Sequence, residues 1–159
     1  MSALPYIAKI VIPAAYSMLP FQMRAPESRA IALAICLQES RFIYRRQIGG
    51  PARGFPQFEL AGIRGVLNHR ATRPHILKIL DEMGYDDQPE TSYAAIEHND
   101  PLAMVYTRLN LWWHPDKLPG SGEADRAWDY YLSIWRPGKP HRHTWNDFYA
   151  QAWAELQKV

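Results

Sequence analysis

Cysteine is almost absent from this sequence, since Cys36 is the only one among 159 residues. A lone cysteine cannot form an internal disulfide or build a metal site from several thiolates. His141 and His143 are two positions apart but have no acid nearby at ligand spacing, so no metal site is predicted. Cys36 itself stands in an apolar stretch and is expected in the core. We therefore expect neither a metal nor another cofactor.

Long hydrophobic runs are also missing. No stretch reaches the roughly 18–20 uncharged apolar residues that span a bilayer, so no membrane insertion is expected. The first 20 residues are fairly apolar, but they lack a basic start and contain Pro5, Lys9 and Pro13. We therefore predict no secretory signal, and work outside the cytoplasm would need another delivery route.

Acidic residues are scarce in one section of the chain and basic residues are absent from another, although the net charge is only +2. Residues 41–73 hold seven arginines against the single acid Glu59, whereas residues 81–100 hold seven acids and neither Lys nor Arg. We interpret both runs as solvated faces. Nucleic-acid binding by the basic section is a weaker hypothesis, because its arginines follow no recognised binding motif. No nucleic-acid partner is expected.

Sustained alternation of apolar and polar residues is absent, and each periodic segment predicts a helix. With 159 residues the chain is expected to form one compact all-α domain. A two- or three-strand β-ribbon within residues 41–58 is compatible with this fold class. The predicted helices are 6–18 (bent or restarted at Pro13), 26–40, 60–70, 73–83, 91–98 with Thr91 as cap, 101–113 capped by Asp100, 123–135, and a last helix capped by Thr144.

Glu39 is the most informative residue of the sequence. It closes a helix whose segment 30–37 is apolar on all sides and is therefore expected to be buried. Partial burial and the negative end of the helix dipole both disfavour an ionised carboxylate and raise its pKa. A carboxyl group tuned in this way suits general acid catalysis. The alternative is a structural ion pair with Arg41, Arg45 or Arg46, which would lower the pKa.

The surrounding residues carry a resemblance to a known superfamily. The run from Ala34 to Phe42 contains Gln38-Glu39-Ser40, and the turn Gly54-Phe55-Pro56-Gln57-Phe58 follows it. This pair of motifs, about 30 residues in all, resembles the soluble lytic transglycosylase and goose-type lysozyme-like superfamily. The longer string 38–59 is also similar to small versions encoded by tailed bacteriophages.

The resemblance implies a lysozyme-like helical fold with Glu39 as catalytic acid. Gln57 would line the cleft, and Ser40 would orient the substrate or the acid. The family also has a tyrosine that reaches the glutamate, from an Ala-Tyr-Asn-x-Gly segment. Its nearest counterpart here is residues 127–131, which lack the Asn and the Gly, so either Tyr130 or Tyr131 is a candidate. Pro56 also departs from the pattern, since the family has a residue such as Met there.

The implied activity is cleavage of the β-1,4 bond between N-acetylmuramic acid and N-acetylglucosamine in peptidoglycan. In the transglycosylase branch one glutamate serves as acid and then base, and the product carries a 1,6-anhydro end. If water attacked instead, the enzyme would be a lysozyme, and most glycosidases use two carboxylates. Glu59 and Asp129 are the candidates for a second one. The alternative for Glu59 is an ion pair with Arg53 or Arg64.

Other features are weaker candidates for contacts with the glycan strands. Arg136 stands in a basic turn, 136–140, that suits the carboxylates of peptidoglycan, although it also reads as an ordinary loop. Tryptophans can stack on sugar rings but are more often core; they are Trp112, Trp113, Trp128, Trp135 and Trp145. The phage-like resemblance implies other virion proteins or a holin as partners. A catalytically silent virion component with the same fold is the non-enzymatic alternative.

Overall fold

Helices account for most of the chain in the computed structural model, which describes residues 2–159. Within those residues there is no β-strand, and the predicted all-α class is confirmed. The β-ribbon considered for residues 41–58 is reduced to two isolated bridges, Arg46 with Arg53 and Arg53 with Phe58. The helices are α1 Leu4–Tyr6, α2 Ile12–Ser17, α3 Pro26–Ser40, α4 Leu60–Asn68, α5 Arg73–Met83, α6 Pro89–Ala95, α7 Asp100–Trp112, α8 Ala124–Trp135 and α9 Arg142–Leu156.

The N-terminal helical segment changes its winding just before Pro13. A π-helical stretch, Ile7–Val11, joins α1 to α2 without a break. The Ile12 N–H donates to the carbonyl of Ile7, five residues earlier, rather than to the residue four earlier. Pro13 has no N–H to continue the normal ladder, so a local π-bulge absorbs the mismatch. The bend predicted at Pro13 therefore takes the form of a π-helical stretch.

Helix α3 is the centre of the fold. Residues 30–37 are almost inaccessible, as the all-round apolar sequence predicts, and Cys36 is fully buried among them. Pro26 opens the helix and Glu27 lies in its first turn. Arg41 ends it in the left-handed conformation, with φ 57°, and donates its N–H to the carbonyl of Leu37. Helix α9 packs along α3, so the last part of the chain covers the central helix.

The start of α7 corrects one predicted cap. Asn99, not Asp100, is the cap residue: its side-chain oxygen accepts a 3.0 Å hydrogen bond from the N–H of Leu102. Asp100 instead faces Arg45, which reaches its Oδ2 atom at 2.9 Å. The two neighbouring residues are both good caps by type, and the ion pair with Arg45 decides between them.

Two other helix starts also differ from the predicted caps. Helix α6 begins at Pro89, so Thr91 is inside it. Helix α9 begins at Arg142, and Thr144 donates its hydroxyl to the side-chain oxygen of Gln38 at 3.0 Å. Thr144 therefore connects the start of α9 to the end of α3, close to Glu39 in sequence.

The basic and acidic sections, both interpreted as solvated faces, contact each other through ion pairs. Arg45 pairs with Asp100, Arg46 with Glu97 at 2.9 Å and Arg64 with Glu90 at 3.3 Å. Opposite charges at contact distance stabilise this packing modestly where they are exposed. None of the helices formed by residues 2–159 has the length and apolar content to cross a membrane.

Candidate active site

A groove of about 1090 Å³ runs across one side of the domain. The ends of α3, α7 and α8, the length of α4 and the 41–58 segment form its walls. It brings together most of the predicted site residues with others that the sequence did not single out. The predicted ones are Glu39, Gln57, Glu59, Tyr131 and Arg136; the others include Gln47, Gly65, His69, Asn110, Trp113, Lys139 and His141.

Glu39 is half-buried at the end of α3, and its carboxyl lines the groove. Burial raises the pKa of this carboxyl above its usual 4.5, and a hydrogen bond from the Tyr131 hydroxyl to Oε1 opposes part of that rise. Burial also raises the pKa of the Tyr131 phenol, which therefore stays protonated and acts as the donor. The arrangement gives a carboxyl that holds its proton at higher pH than an exposed glutamate does.

An aromatic stack holds Tyr131 in place. Its ring lies 5.0 Å from that of the fully buried Trp145, at an interplanar angle of 12°. Trp145 stacks in turn on Tyr149, and its indole N–H donates to the carbonyl of Ala124 at 2.9 Å. The ring of Trp128 lies 5.5 Å from that of Tyr131 as well, so Tyr131 packs against two tryptophans. A ring packed in this way has little freedom to rotate, and its hydroxyl is held towards Glu39.

Tyr130 does not reach the groove, which decides between the two tyrosine candidates. Its hydroxyl donates to the carbonyl of Leu111 at 3.1 Å, and its ring is 4.0 Å from that of His114. Adjacent residues of a helix point about 100° apart, so only one of the two can face Glu39. The substrate contact considered for Tyr130 is therefore not supported by its position.

Ser40 does not line the groove either. Its side chain is buried, with 1% of the residue exposed, and its hydroxyl donates to the carbonyl of Cys36 at 3.0 Å. The same oxygen accepts a hydrogen bond from the N–H of Phe42. The serine thus closes the end of α3, and the direct substrate contact expected from the resemblance is not supported by its position.

The three arginines that follow Glu39 all have other partners. Arg45 and Arg46 pair with Asp100 and Glu97, and the Arg41 guanidinium lies 4.7 Å from the ring centre of Phe148. Within residues 2–159 no cation lies within ion-pair distance of Glu39. The ion pair with an arginine, which would have lowered the pKa of Glu39, is therefore absent among residues 2–159.

The turn that presents Gln57 is built from two left-handed residues, Gly54 with φ 72° and Gln57 with φ 55°. Both the backbone N–H and the side-chain amide of Gln57 donate to the carbonyl of Gly54, at 3.0 and 2.8 Å. Pro56 fits this turn, and its carbonyl accepts a 2.9 Å hydrogen bond from the indole of Trp135. The departure from the family pattern at Pro56 is therefore accommodated without a lost backbone partner.

Replacing Gly54 with alanine is expected to destabilise the protein. A Cβ at this position would lie 2.7 Å from the carbonyl oxygen of Ile96, and the left-handed backbone adds about 1–2 kcal/mol. Gly49 is a matched control, since its φ is 70° but a Cβ there meets nothing within 4 Å. Denaturant unfolding should show a larger loss for Gly54→Ala than for Gly49→Ala. Equal losses would mean that the approach to Ile96 costs nothing.

Glu59 has neither of the ion-pair partners expected for it. Arg64 pairs with Glu90, and Arg53 is 3.9 Å from Glu97 while its guanidinium donates to backbone carbonyls. Glu59 is exposed at the start of α4 and lines the same groove as Glu39. Asp129 is exposed too, but it does not line the groove. Glu59 is therefore the only one of the two to remain a candidate second carboxylate.

Arg136 and Lys139 add positive charge to the wall formed by the end of α8 and the following turn. Arg136 is exposed and left-handed, with φ 49°, and ends α8. Among residues 2–159 neither side chain lies within ion-pair distance of a carboxylate. Both are thus available to an anionic group in the groove.

The tryptophans divide between core and groove. Trp128 and Trp145 are buried, whereas Trp113 and Trp135 line the groove. His69 and Asn110 were not predicted, although Asn110 is three residues before Trp113, a spacing that places two residues on the same side of a helix and its C-cap.

Comparison with protein-family models, curated proteins and solved structures gave no match to this chain. Within residues 2–159 no three His, Cys, Asp or Glu side chains come together as a metal-binding cluster. The groove combines a proton-holding carboxyl, a fixed phenol donor, an amide and two cations with no carboxylate partner among residues 2–159. Such a set of groups can bind an anion and donate a proton.

Proposed function

We propose that this chain cleaves the β-1,4 bond between N-acetylmuramic acid and N-acetylglucosamine in peptidoglycan, with Glu39 as general acid. The observation that carries the proposal is the state of that carboxyl. It lies in an open groove, its pKa is raised by burial, and the Tyr131 hydroxyl fixes it, while no cation of residues 2–159 pairs with it. A glycosidase acid needs this combination of access and retained proton.

The chemistry follows the single-glutamate route that the resemblance implies. Glu39 donates its proton to the glycosidic oxygen, the bond to the anomeric carbon breaks, and the N-acetyl group of the same sugar stabilises the positive centre. The resulting Glu39 carboxylate then removes the proton of that sugar's 6-hydroxyl, whose oxygen bonds to the anomeric carbon. The glutamate recovers its proton, no water is consumed, and the product ends in a 1,6-anhydro ring.

The charges of the groove support peptidoglycan over an uncharged glycan. Arg136 and Lys139 line the wall and have no carboxylate partner within residues 2–159. The lactyl group and peptide stem of N-acetylmuramic acid carry carboxylates that such cations attract. We assign the two side chains to these groups, and Gln57 to the polar edge of the sugar beside Glu39.

The test is the release of soluble muropeptides from purified sacculi of several wall chemotypes, followed by mass analysis of the ends. Anhydro-muramyl ends are the expected product, and reducing ends would assign the chain to the hydrolases instead. No release from any chemotype would favour the alternative of a silent virion component. In line with the phage-like resemblance, we propose that the active protein serves entry or lysis, with virion proteins or a holin as partners.

Hydrolysis is the second candidate, and the observation that favours it is Glu59, which lines the groove and has no ion-pair partner among residues 2–159. In the single-acid route Glu59→Gln should leave the rate almost unchanged and the anhydro ends intact. Glu90→Gln is the matched control, because Glu90 pairs with Arg64 on the exposed surface. If Glu59→Gln alone abolishes cleavage, a two-carboxylate hydrolytic mechanism replaces the one proposed.

A further inference from the structure

Two stacked aromatic rings form one end of the groove. His69 directly follows α4 and Trp113 directly follows α7, and their ring centres are 5.8 Å apart at an interplanar angle of 26°. Both rings line the groove, and Trp113 remains 37% exposed. A pair of rings held together at the surface offers a flat apolar platform whose position is already fixed.

Asn110 supplies a polar group next to this platform. It is one turn before Trp113 on α7, and it lines the groove. Asn110 is itself only 9% exposed, yet its carboxamide makes no hydrogen bond to another side chain or to the backbone among residues 2–159. An amide can donate and accept at once, so it is equipped for a partner with hydroxyl or acetamido groups.

The wall that leads to the platform is made of small residues. Ala61, Gly62 and Gly65 of α4 line the groove, and a Cβ built at Gly65 meets nothing within 4 Å. Helix α4 separates Glu59 at its start from His69 at its end, and nine helical residues extend about 14 Å. The platform is therefore at the opposite end of α4 from Gln57 and Glu59.

We propose that His69, Asn110 and Trp113 form a second sugar-binding subsite, which holds a pyranose ring away from the bond that is cleaved. A pyranose ring has an apolar C–H face that fits a flat aromatic surface, and a polar rim that the amide of Asn110 can bind. The proposal rests on the function proposed above, from which peptidoglycan is taken as the bound polymer. It adds that the enzyme binds the glycan strand at a position away from Glu39 and therefore favours long strands over short ones.

Binding of a β-1,4-linked N-acetylglucosamine hexasaccharide to the full-length Glu39→Gln chain tests the subsite without cleavage. Adding Trp113→Ala should weaken the affinity measured by calorimetry about tenfold and remove most of the change in indole emission. Asn110→Ala should also weaken it. Gly65→Trp should block binding by filling the groove, since Gly65 is helical and has free space beside it. Phe21→Ala is the control, because that ring is 85% exposed and outside the groove.

Equal affinity with and without the Trp113 ring overturns the subsite, and so does a lack of hexasaccharide binding to the Glu39→Gln chain. The release of muropeptides by the unmodified chain tests the proposed function separately. If peptidoglycan is cleaved but the affinity for the hexasaccharide does not depend on Trp113, the subsite alone is rejected. Binding that depends on Trp113, without cleavage of any sacculus, supports the subsite and rejects the enzymatic proposal.

Discussion

Replacing Glu39 with glutamine is expected to lower the rate of peptidoglycan cleavage by about a thousandfold or more and to leave the fold intact. Glutamine has the same shape, and its side-chain oxygen can still accept the hydrogen bond from Tyr131. It has no proton to donate at the glycosidic oxygen. The measurement is muropeptide release under initial-rate conditions, with circular dichroism to establish that the variant is folded.

The pH dependence of the free energy of unfolding should also identify the Glu39 carboxyl. The folded protein binds a proton at Glu39 more tightly than the unfolded chain does, because burial raises the pKa above 4.5. Wild-type stability from this group is therefore complete below about that pH and is lost as the pH rises through the folded pKa. The stability of Glu39→Gln has no such dependence on pH. The free energy of unfolding of the variant relative to wild type should therefore increase as the pH rises from about 4.5 through the folded pKa of Glu39. Full cleavage activity in the variant would contradict the assignment of Glu39.

Tyr131→Phe is expected to lower activity about tenfold at the optimum and to move the alkaline limb of the pH–rate profile. The phenol donates to the Glu39 carboxyl and stabilises its ionised form, which lowers the pKa. Without the hydroxyl the pKa of Glu39 rises, so the acid keeps its proton to higher pH and the alkaline limb shifts upward. The fall in rate reflects a carboxyl that is no longer held in one orientation.

Tyr130→Phe is the matched control, because it removes the same hydroxyl from the neighbouring residue of α8. That hydroxyl contacts the carbonyl of Leu111 and does not enter the groove. We expect a small loss of stability and an unchanged pH–rate profile. A shift of the alkaline limb in Tyr130→Phe, or none in Tyr131→Phe, would reject the role assigned to Tyr131.

Much of the scaffold could be predicted from local sequence. Helix α3 follows from Pro26, an uninterrupted apolar run and the polar Gln38–Ser40 end, and the structure confirms each of these. Gly84, with φ 79°, ends α5 where the sequence predicts it. These signals are local because backbone conformation and burial of a central helix depend mostly on the residues of that helix.

The side-chain partners could not be predicted, because they depend on contacts between distant segments. Tyr130 and Tyr131 are equivalent by composition, and only the rotation of α8 relative to α3 decides which reaches Glu39. Glu59 does not pair with Arg64 because Arg64 pairs with Glu90, 26 positions later in the chain. His69 gave no periodic signal at all, since it follows a helix and stacks on a residue 44 positions away.

The ring stack from Tyr131 to Tyr149 also makes the candidate site dependent on α9. Trp145 and Tyr149 belong to α9, as does Thr144, whose hydroxyl donates a hydrogen bond to the side-chain oxygen of Gln38 beside the acid. A nascent chain that stops before α9 lacks the rings that hold the phenol, so its glutamate has no fixed donor. Helix α9 is therefore required for the geometry of the Glu39 carboxyl, although no residue of α9 lines the groove.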